Sequence, residues 1–331
     1  MFYRDIGIDL GTSNTLIHVK GSGVVLNEPS VVAVDLKTKQ VLAVGDEAYR
    51  MLGRAPGTIQ TIRPLKDGVI ANFDMTEAML TKFIDRLGVK GFLRKPRILI
   101  CCPVQVTAVE QKAIQDAALK AGARRVYIEE EPKVAAIGAG MDIFQPSGNM
   151  IIDIGGGTTD IAVLSMGGIV TSQSVKVGGN TFDADILQYI KKHEQLLIGE
   201  PTAELIKKEI GTALPGSEKK TIDIRGRDLV SGLPRAVTVD SDKIAGAIRE
   251  SVMMIVQGAR NVLEKTPPEL SADIIDRGII LTGGGALLHG IDGLLSEQVK
   301  VPVYLADDSP GCVVTGTGIM LDRQRTVFVK G

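Results

Sequence analysis

The sequence predicts an α/β protein built from two related halves, and three observations support this prediction. The 331 residues are enough for about two domains of roughly 150 residues each. Short apolar runs of strand length alternate with segments of helical periodicity. The order apolar residue, Asp, apolar residue, Gly ends the runs 6–10 and 150–154, so the second half repeats the first. Segments 32–75 and 183–244 match neither repeat and are predicted to be insertions, one in each half.

Composition is that of a globular protein and excludes several function classes. Hydrophobic residues make up 44% of the chain, and 38 Lys and Arg against 39 Asp and Glu leave a formal net charge of −1. Because a nucleic-acid binder usually shows a basic excess, we expect no nucleic-acid partner. Cys101, Cys102 and Cys312 lack metal-ligand spacing and are predicted to be core thiols. The sequence has no signal-peptide pattern and no apolar run of about 18 residues, so we expect a cytoplasmic protein.

Six predicted strands form two sets of three that are separated by glycine-containing turns. Each set reads as strand, turn, strand, turn, strand. The first set covers 6–10, 15–19 and 24–26, and the second covers 150–154, 160–165 and 169–177.

Caps and periodicity place three helices. Thr107 and Glu110 form a predicted capping box at the start of the first helix. Pro132 is suited to the first turn of a helix that runs to about residue 139. Ser241 precedes a long amphipathic pattern that Pro267 terminates.

Two turns that follow the duplicated strands predict a phosphate site. Asp9 precedes the turn 11–13, of sequence Gly-Thr-Ser, and Asp153 precedes the turn 155–158, of sequence Gly-Gly-Gly-Thr. Backbone N–H groups without side chains can surround phosphate oxygens, and Mg²⁺ prefers one or two carboxylates together with water and phosphate. Taken alone, the first turn could be an ordinary hairpin. The pair predicts a Mg²⁺-nucleotide between the halves, with Asp9 and Asp153 holding the metal mainly through water.

A third motif places a buried strand, three glycines and a predicted helix in the segment 279–288. This arrangement lets a flat or anionic group approach the N-terminus of a helix. The Walker pattern is absent, and no Gly-x-Gly-x-x-Gly follows a strand, which argues against dinucleotide binding. Nucleotide binding must therefore use another design.

These three motifs resemble the two phosphate motifs and the adenosine motif of the actin, DnaK-chaperone and sugar-kinase superfamily. Five further stretches resemble the MreB-type bacterial actins of rod-shaped cells, so the resemblance covers about residues 4–322. These stretches are 26–33, 63–71, 130–132, 224–229 and 267–270.

The resemblance implies an actin-like ATPase fold with two ribonuclease H-like lobes, each carrying an inserted subdomain. It also implies homopolymeric filaments that form with ATP and Mg²⁺ at the inner face of the cell membrane. ATP hydrolysis would be coupled to polymerisation, and the partners would be an anionic membrane surface and the cell-wall elongation machinery. The implied division is 1–31, 76–146 and 308–331 for subdomain IA, 32–75 for IB, 147–182 and 245–307 for IIA, and 183–244 for IIB.

Position in the family motifs implies a set of nucleotide contacts from four parts of the chain. Without the resemblance, Glu204 and Lys207 could instead form an i,i+3 ion pair on a helix surface. The implied contacts are Thr12, Ser13 and Asn14 in the first hairpin, Gly156, Gly157 and Thr158 in the second, Glu204 and Lys207 beside the adenosine, and Gly284, Gly285, Ala286 and Leu287 over the base and ribose.

Glu131 is the predicted catalytic residue, because the family places its acid at this helix start. It would orient and polarise the attacking water, with Thr158 assisting, since phosphoryl transfer depends mostly on positioning and charge stabilisation. The alternative is that the acidic run 129–131 only complements a helix dipole. Lys133 departs from the family pattern, which has Met or a small apolar residue there. A nearby cation is expected to lower the pKa of Glu131.

A membrane contact is predicted at Phe92 and Leu93, two apolar residues among four basic ones in the segment 90–97. Apolar insertion and attraction to anionic lipid would both favour binding. Repetition of the loop along a filament would add avidity. In the alternative interpretation, Phe92 and Leu93 cover the core before the strand 97–102.

Two other functions fit the same fold. A small-molecule kinase would need an acidic base aimed at a substrate hydroxyl and a pocket in the insertions, and the sequence shows no such signature. A chaperone-type ATPase would need a substrate-binding domain, for which the 331 residues leave no room.

Overall fold

The computed structural model describes residues 5–88, 95–217 and 219–323. Two segments of 3₁₀-helix, Gly284–Leu287 and Ser309–Gly311, complement the regular elements. The strands are β1 (Ile6–Leu10), β2 (Asn14–Val19), β3 (Gly23–Pro29), β4 (Val32–Asp35), β5 (Val41–Val44), β6 (Ile59–Ile62), β7 (Leu65–Lys66), β8 (Val69–Ile70), β9 (Arg97–Cys102), β10 (Arg125–Glu130), β11 (Asn149–Ile154), β12 (Thr159–Ser165), β13 (Gly168–Val175), β14 (Leu196–Leu197), β15 (Thr221–Asp228), β16 (Pro234–Asp240), β17 (Ile279–Thr282) and β18 (Val303–Leu305). The helices are α1 (Asp46–Tyr49), α2 (Phe73–Arg86), α3 (Ala108–Lys120), α4 (Glu131–Gly138), α5 (Gly179–His193), α6 (Glu200–Ile210), α7 (Ser241–Glu264), α8 (Pro268–Arg277), α9 (Ile291–Val299) and α10 (Cys312–Arg323).

Two five-stranded sheets have the same topology, which confirms the duplication predicted from the sequence. The first sheet has the order β3-β2-β1-β9-β10, and the second has the order β13-β12-β11-β17-β18. In each sheet the first three strands are antiparallel neighbours and the remaining pairings are parallel. The two predicted sets of three strands correspond to β1–β3 and β11–β13.

Strand register places the two duplicated aspartates at equivalent positions. Asp9 is the second-last residue of β1 and pairs across the parallel side with Cys101. Asp153 is the second-last residue of β11 and pairs on its parallel side with Thr282. The duplicated motif therefore brings one carboxylate to the same edge of each sheet.

Helices α4 and α10 join the two halves through a close crossing. Helix α10 packs on the first sheet, α4 packs on the second, and the two helices pack on each other. A Cβ on Gly138 would lie 1.8 Å from the carbonyl oxygen of Cys312. A Cβ on Gly316 would lie 2.0 Å from the carbonyl oxygen of Val134. The crossing therefore requires residues without side chains.

Each predicted insertion contains a small antiparallel sheet of its own. Strands β5-β4-β6 and the hairpin β7-β8 lie within 32–75, and β14-β15-β16 lies within 183–244. Helix α1 belongs to the first insertion and α6 to the second. These two helices stand near the cleft that holds the candidate site.

The helices agree with their sequence signals in most respects. Thr107 Oγ1 accepts a hydrogen bond from the N–H of Glu110 at 3.3 Å, and the Glu110 carboxylate accepts one from the N–H of Thr107 at 2.7 Å, which completes the capping box. Helix α7 has Asp240 as its N-cap. The third motif differs from its prediction, because only a 3₁₀ turn follows the glycines and α9 begins at Ile291. All three cysteines are buried.

The predicted membrane residues Phe92 and Leu93 lie outside the described residues. Of the basic residues around them, Arg97 donates through Nε to Asp5 Oδ1 at 3.0 Å. No helix in the described part of the chain combines the length and apolar character that crossing a bilayer requires.

Candidate functional site

The three glycine-rich turns meet in one cleft between the two large sheets, with a volume of about 480 Å³. Ala286 is the exception among the predicted cleft residues, because it is buried in the core of the second half. The predicted residues that line the cleft are Asp9, Thr12, Ser13, Asn14, Glu131, Asp153, Gly156, Gly157, Thr158, Glu204, Lys207, Gly284, Gly285 and Leu287.

The two turns predicted to bind phosphate, here called the phosphate turns, touch each other across the cleft. A Cβ on Gly156 would lie 2.0 Å from Ser13 Oγ, and a Cβ on Gly157 would lie 2.7 Å from Thr12 Oγ1. Any side chain at these glycines would collide with the opposite hairpin. The absence of side chains at Gly156 and Gly157 thus lets the two halves approach closely and also leaves room for a ligand.

Hydrogen bonds hold the first hairpin against both halves. Ser13 Oγ donates to Asn180 Oδ1 at 2.7 Å, and the N–H of Asn180 donates to the carbonyl of Gly156 at 2.8 Å. Thr12 Oγ1 accepts from the N–H of Gly68 at 3.0 Å. The hydroxyl groups predicted to contact phosphates are therefore already oriented by the protein.

The third turn is anchored at the end of β11. Gly283 has a φ of 86°, a left-handed conformation that favours glycine, and its Cβ would lie 2.3 Å from the carbonyl oxygen of Ile154. The N–H of Gly283 donates to the carbonyl of Ser309 at 2.8 Å, and Ser309 Oγ donates to the carbonyl of Gly283 at 2.5 Å. This anchoring leaves Gly284 exposed, with open space where a Cβ would stand.

Four carboxyl groups cluster at the centre of the site. Burial, with the nearby charge of Asp153, raises the pKa of Asp9 to about 8. Burial and the charges of Asp153, Asp160 and Asp9 raise the pKa of Glu131 well above its ordinary value. Burial also raises the pKa of Asp160 to about 6. The cluster concentrates negative charge where a cation would relieve it.

Asp153 is held by side chains from two other elements, β17 and α4. Thr282 Oγ1 donates to Asp153 Oδ1 at 2.5 Å, and the carboxyl group of Glu131 is hydrogen-bonded to the same side chain. Burial raises the pKa of Asp153, and these two hydrogen bonds oppose the rise. The aspartate is therefore fixed in position by groups from β17 and α4.

The two carboxylates that the sequence analysis assigns to Mg²⁺ both lie in the cleft. Within the described residues, no group of three or more His, Cys, Asp and Glu side chains is arranged to chelate a metal ion. Asp9 and Asp153 line the cleft and offer two carboxylates beside the phosphate turns. Two carboxylates, water and substrate phosphates are the ligand set that Mg²⁺ prefers.

The expected influence of Lys133 on Glu131 is wrong. Lys133 Nζ lies 3.2 Å from Glu129 Oε2, one helical turn away, and forms its ion pair there. The pKa of Glu131 is raised by burial and by neighbouring carboxylates, as described above, rather than lowered by a cation.

Glu204 and Lys207 stand on α6 with separate partners. Lys207 Nζ donates to the carbonyl of Gly179 and to Asp183 Oδ2, each at 2.9 Å. Glu204 Oε1 pairs with Lys208 at 2.7 Å, and Glu204 Oε2 accepts a hydrogen bond from the hydroxyl of Tyr49. The alternative i,i+3 ion pair between Glu204 and Lys207 is not the arrangement that forms.

Sequence reasoning missed four residues that shape the site. Asp160 stands two residues after the turn 155–158, at the start of the predicted strand 160–165, so its position beside the turn could have indicated it. No sequence pattern marks Asn180, Asp183 or Tyr49, because each contacts a residue that is distant in the sequence. These partners are Ser13, Lys207 and Glu204, respectively.

Two like halves that close on a cleft of glycine turns and carboxylates define an actin-like fold. The crystal structure of MreB5 of Spiroplasma citri bound to AMPPNP matches with a TM-score of 0.94 and 41% sequence identity, over 99% of this chain and 98% of that chain. The MamK double helical filament matches with a TM-score of 0.80 at 21% identity, over 96% and 98% of the two chains, and shows the fold alone.

Sequence comparison identifies the family within this fold. The profile of the MreB/Mbl protein family matches residues 3–328. The cell shape-determining protein Mbl of Bacillus subtilis strain 168 is 66% identical over 322 residues, 97% of each chain. The cell shape-determining protein MreB of Escherichia coli K12 is 51% identical over 327 residues, 97% of this chain and 94% of that one. The chain belongs to the MreB/Mbl family of bacterial actin-like cytoskeletal proteins, as its motifs predict.

Proposed function

We propose that this chain is an ATP-dependent, filament-forming bacterial actin that acts with Mg²⁺ at the cytoplasmic face of the membrane. The observation that supports this most directly is the convergence of three glycine turns and paired carboxylates on one cleft. The MreB5 structures bound to AMPPNP and to ADP support a nucleotide as the ligand.

The proposed nucleotide contacts follow the cleft from one end to the other. The hairpin residues Thr12, Ser13 and Asn14 and the turn 156–158 bind the phosphates through hydroxyl and backbone N–H groups. Glu204 and Lys207 flank the adenosine, and the third turn covers the base and ribose through Gly284, Gly285 and Leu287. We also propose that the chain is divided into the four subdomains that the resemblance implies, and that the nucleotide lies between subdomains IA and IIA.

Hydrolysis is proposed to depend on Glu131 and Thr158. Glu131 orients the attacking water and accepts a proton from it as a general base. The hydroxyl of Thr158 helps to hold that water. Mg²⁺ held by Asp9 and Asp153 would neutralise charge on the transferred phosphoryl group. Burial and, after it, the charges of neighbouring carboxylates raise the pKa of Glu131, so a cation that relieves those charges would favour the ionised form that works as a base.

Assembly and location complete the proposal. Filaments of this chain lie under the membrane, where Phe92 and Leu93 insert into anionic lipid, and they organise the cell-wall elongation machinery that maintains a rod shape. The curated relatives support the role in cell shape, since both are named cell shape-determining proteins.

Sedimentation tests the proposal. The protein with Mg²⁺ and ATP should pellet as filaments, while nucleotide-free protein stays in the supernatant. Anionic liposomes should float with the wild type, and the Phe92→Ser, Leu93→Ser double variant should still pellet but no longer float. A protein that stayed in the supernatant in every condition and phosphorylated a sugar would instead establish the kinase alternative.

A further inference from the structure

The mouth of the nucleotide cleft is crossed by side-chain contacts between the two inserted segments. The hydroxyl of Tyr49, at the end of α1, donates to Glu204 Oε2 on α6. One helical turn earlier on α6, Glu200 Oε2 lies 3.3 Å from a guanidinium nitrogen of Arg63. Residues from opposite halves therefore meet on one face of α6.

Glu204 stands on the boundary between two cavities. Beside the cleft lies a second cavity of about 500 Å³, lined by Tyr49 and Arg63 and by residues of α5 and α6. Glu204 lines both cavities, whereas Tyr49 lines the second one and is absent from the lining of the cleft. Tyr49 thus reaches the nucleotide site through Glu204.

The two hydrogen-bond partners of Glu204 differ in how firmly they can hold it. Lys208 pairs with Oε1, but its side chain is 66% exposed, and such exposed pairs contribute little fixation. Tyr49 is partly buried, and a hydroxyl bonded to a carboxylate is a short, charge-assisted contact. Tyr49 is therefore the partner that determines where the Glu204 carboxylate points.

Protonation states agree with this arrangement. Burial raises the pKa of Glu204, but hydrogen bonds from Lys208 and Tyr49 outweigh burial and set that pKa below its usual value. Burial and the bond to Glu204 raise the pKa of Tyr49, so its hydroxyl keeps its proton and remains a donor.

We propose that Tyr49 is a positioning residue of the nucleotide site: it fixes the Glu204 carboxylate from the opposite half and so couples adenosine binding to closure of the cleft. The inference rests on the proposed function, because Glu204 contacts the ligand only if the cleft binds a nucleotide. When the halves separate, Tyr49 and Glu204 part, and the adenosine loses a pre-oriented contact. Loss of the Tyr49 hydroxyl should therefore weaken binding of the adenosine part and leave the phosphate part unchanged.

The test compares Tyr49→Phe with wild type in the full chain, with Mg-ATP and Mg-tripolyphosphate as probes. Tripolyphosphate has no adenosine and reports on the phosphate turns alone. We expect Tyr49→Phe to raise the dissociation constant for ATP about tenfold or more, because it removes a hydrogen bond to a charged group. Binding of tripolyphosphate should change less than twofold. Tyr304→Phe is the matched control, since this tyrosine is 53% exposed on β18 and lines neither cavity.

A double-mutant cycle decides the mechanism independently of the tripolyphosphate probe. If Tyr49 acts through Glu204, adding Tyr49→Phe to Glu204→Ala, which leaves the hydroxyl no acceptor at this position, should weaken ATP binding no further. Additive losses would overturn the inference, as would Tyr49→Phe binding ATP like the wild type. A wild-type protein that binds no ATP would overturn the proposed function itself. Equal melting temperatures of the variants exclude loss of folding as the cause.

Discussion

The carboxyl group of Glu131 is hydrogen-bonded to the carboxylate of Asp153 across the junction of the two halves. Glu131 is the first residue of α4, and Asp153 is near the end of β11. A hydrogen bond between two carboxyl groups needs a proton on one of them. At least one carboxyl group of the cleft therefore stays protonated when no cation is bound. Its protonation makes the free energy of unfolding depend on pH.

Stability of the ligand-free protein should fall as pH rises from about 4 to 8. Burial raises the pKa of Asp9 to about 8 and that of Asp160 to about 6, whereas an unfolded Asp titrates near 3.9. Between these values the folded protein holds more protons than the unfolded chain, so the free energy of unfolding decreases with pH. Thermal melts in metal-free buffer at pH 5, 6.5 and 8 measure this.

Asp9→Asn is the informative variant for that pH series. It removes one titrating group from the cluster, so its melting temperature should depend less steeply on pH between 6 and 8. Mg²⁺ with ATP should raise the wild-type melting temperature most at pH 8, where the carboxylates are ionised and repel one another. A melting temperature that rose steadily with pH in the ligand-free protein would contradict the raised pKa values.

Glu131→Gln should abolish most hydrolysis while leaving ATP bound. The amide keeps the size of the side chain but cannot accept a proton, and loss of a general base typically lowers the rate by about 100-fold or more. Phosphate release at saturating ATP measures the rate, and equilibrium binding of a fluorescent ATP analogue measures affinity. Glu129→Gln is the control, because Glu129 pairs with Lys133 and does not line the cleft. Equal loss of activity in both variants would remove Glu131 from its assigned role.

Local sequence patterns were enough to predict the two sets of three antiparallel strands, the glycine turns that follow them and the place of Asp9 and Asp153 beside those turns. Asp9 and Asp153 were predictable because each precedes a glycine turn at a strand end, and the duplication places them at equivalent positions. The Tyr49–Glu204 contact was not predictable, because it joins segments 155 residues apart and no periodicity encodes such a pairing. Lys133 shows the same limit, since the sequence places it near three glutamates, 129–131, and only packing decides that it pairs with Glu129.

Gly156→Ala should weaken nucleotide binding through steric conflict between the hairpins. The added Cβ would lie 2.0 Å from Ser13 Oγ and 2.7 Å from Ser13 Cβ, so one hairpin must shift. Overpacking of this kind costs about 1–3 kcal/mol, part of which appears as a lower melting temperature. Nucleotide titration should show weaker ATP binding than in the wild type. Gly57→Ala is the matched control, because an added Cβ there meets nothing within 4 Å. Unchanged ATP affinity in Gly156→Ala would show that the two hairpins need not touch for binding.

Two helical glycines should respond to the same substitution with opposite signs. In α10, a Cβ on buried Gly316 would lie 2.0 Å from the carbonyl oxygen of Val134, so Gly316→Ala must push α10 away from α4 and should lower the free energy of unfolding by about 1–3 kcal/mol or more. In α7, Gly246 is exposed, and a Cβ there meets nothing within 4 Å. Gly246→Ala should therefore raise the free energy of unfolding by about 0.5–1 kcal/mol, because alanine loses less backbone entropy in a helix. Denaturant unfolding of both variants measures the difference. Stabilisation by Gly316→Ala would mean that the two halves are not joined by a tight crossing of α4 and α10.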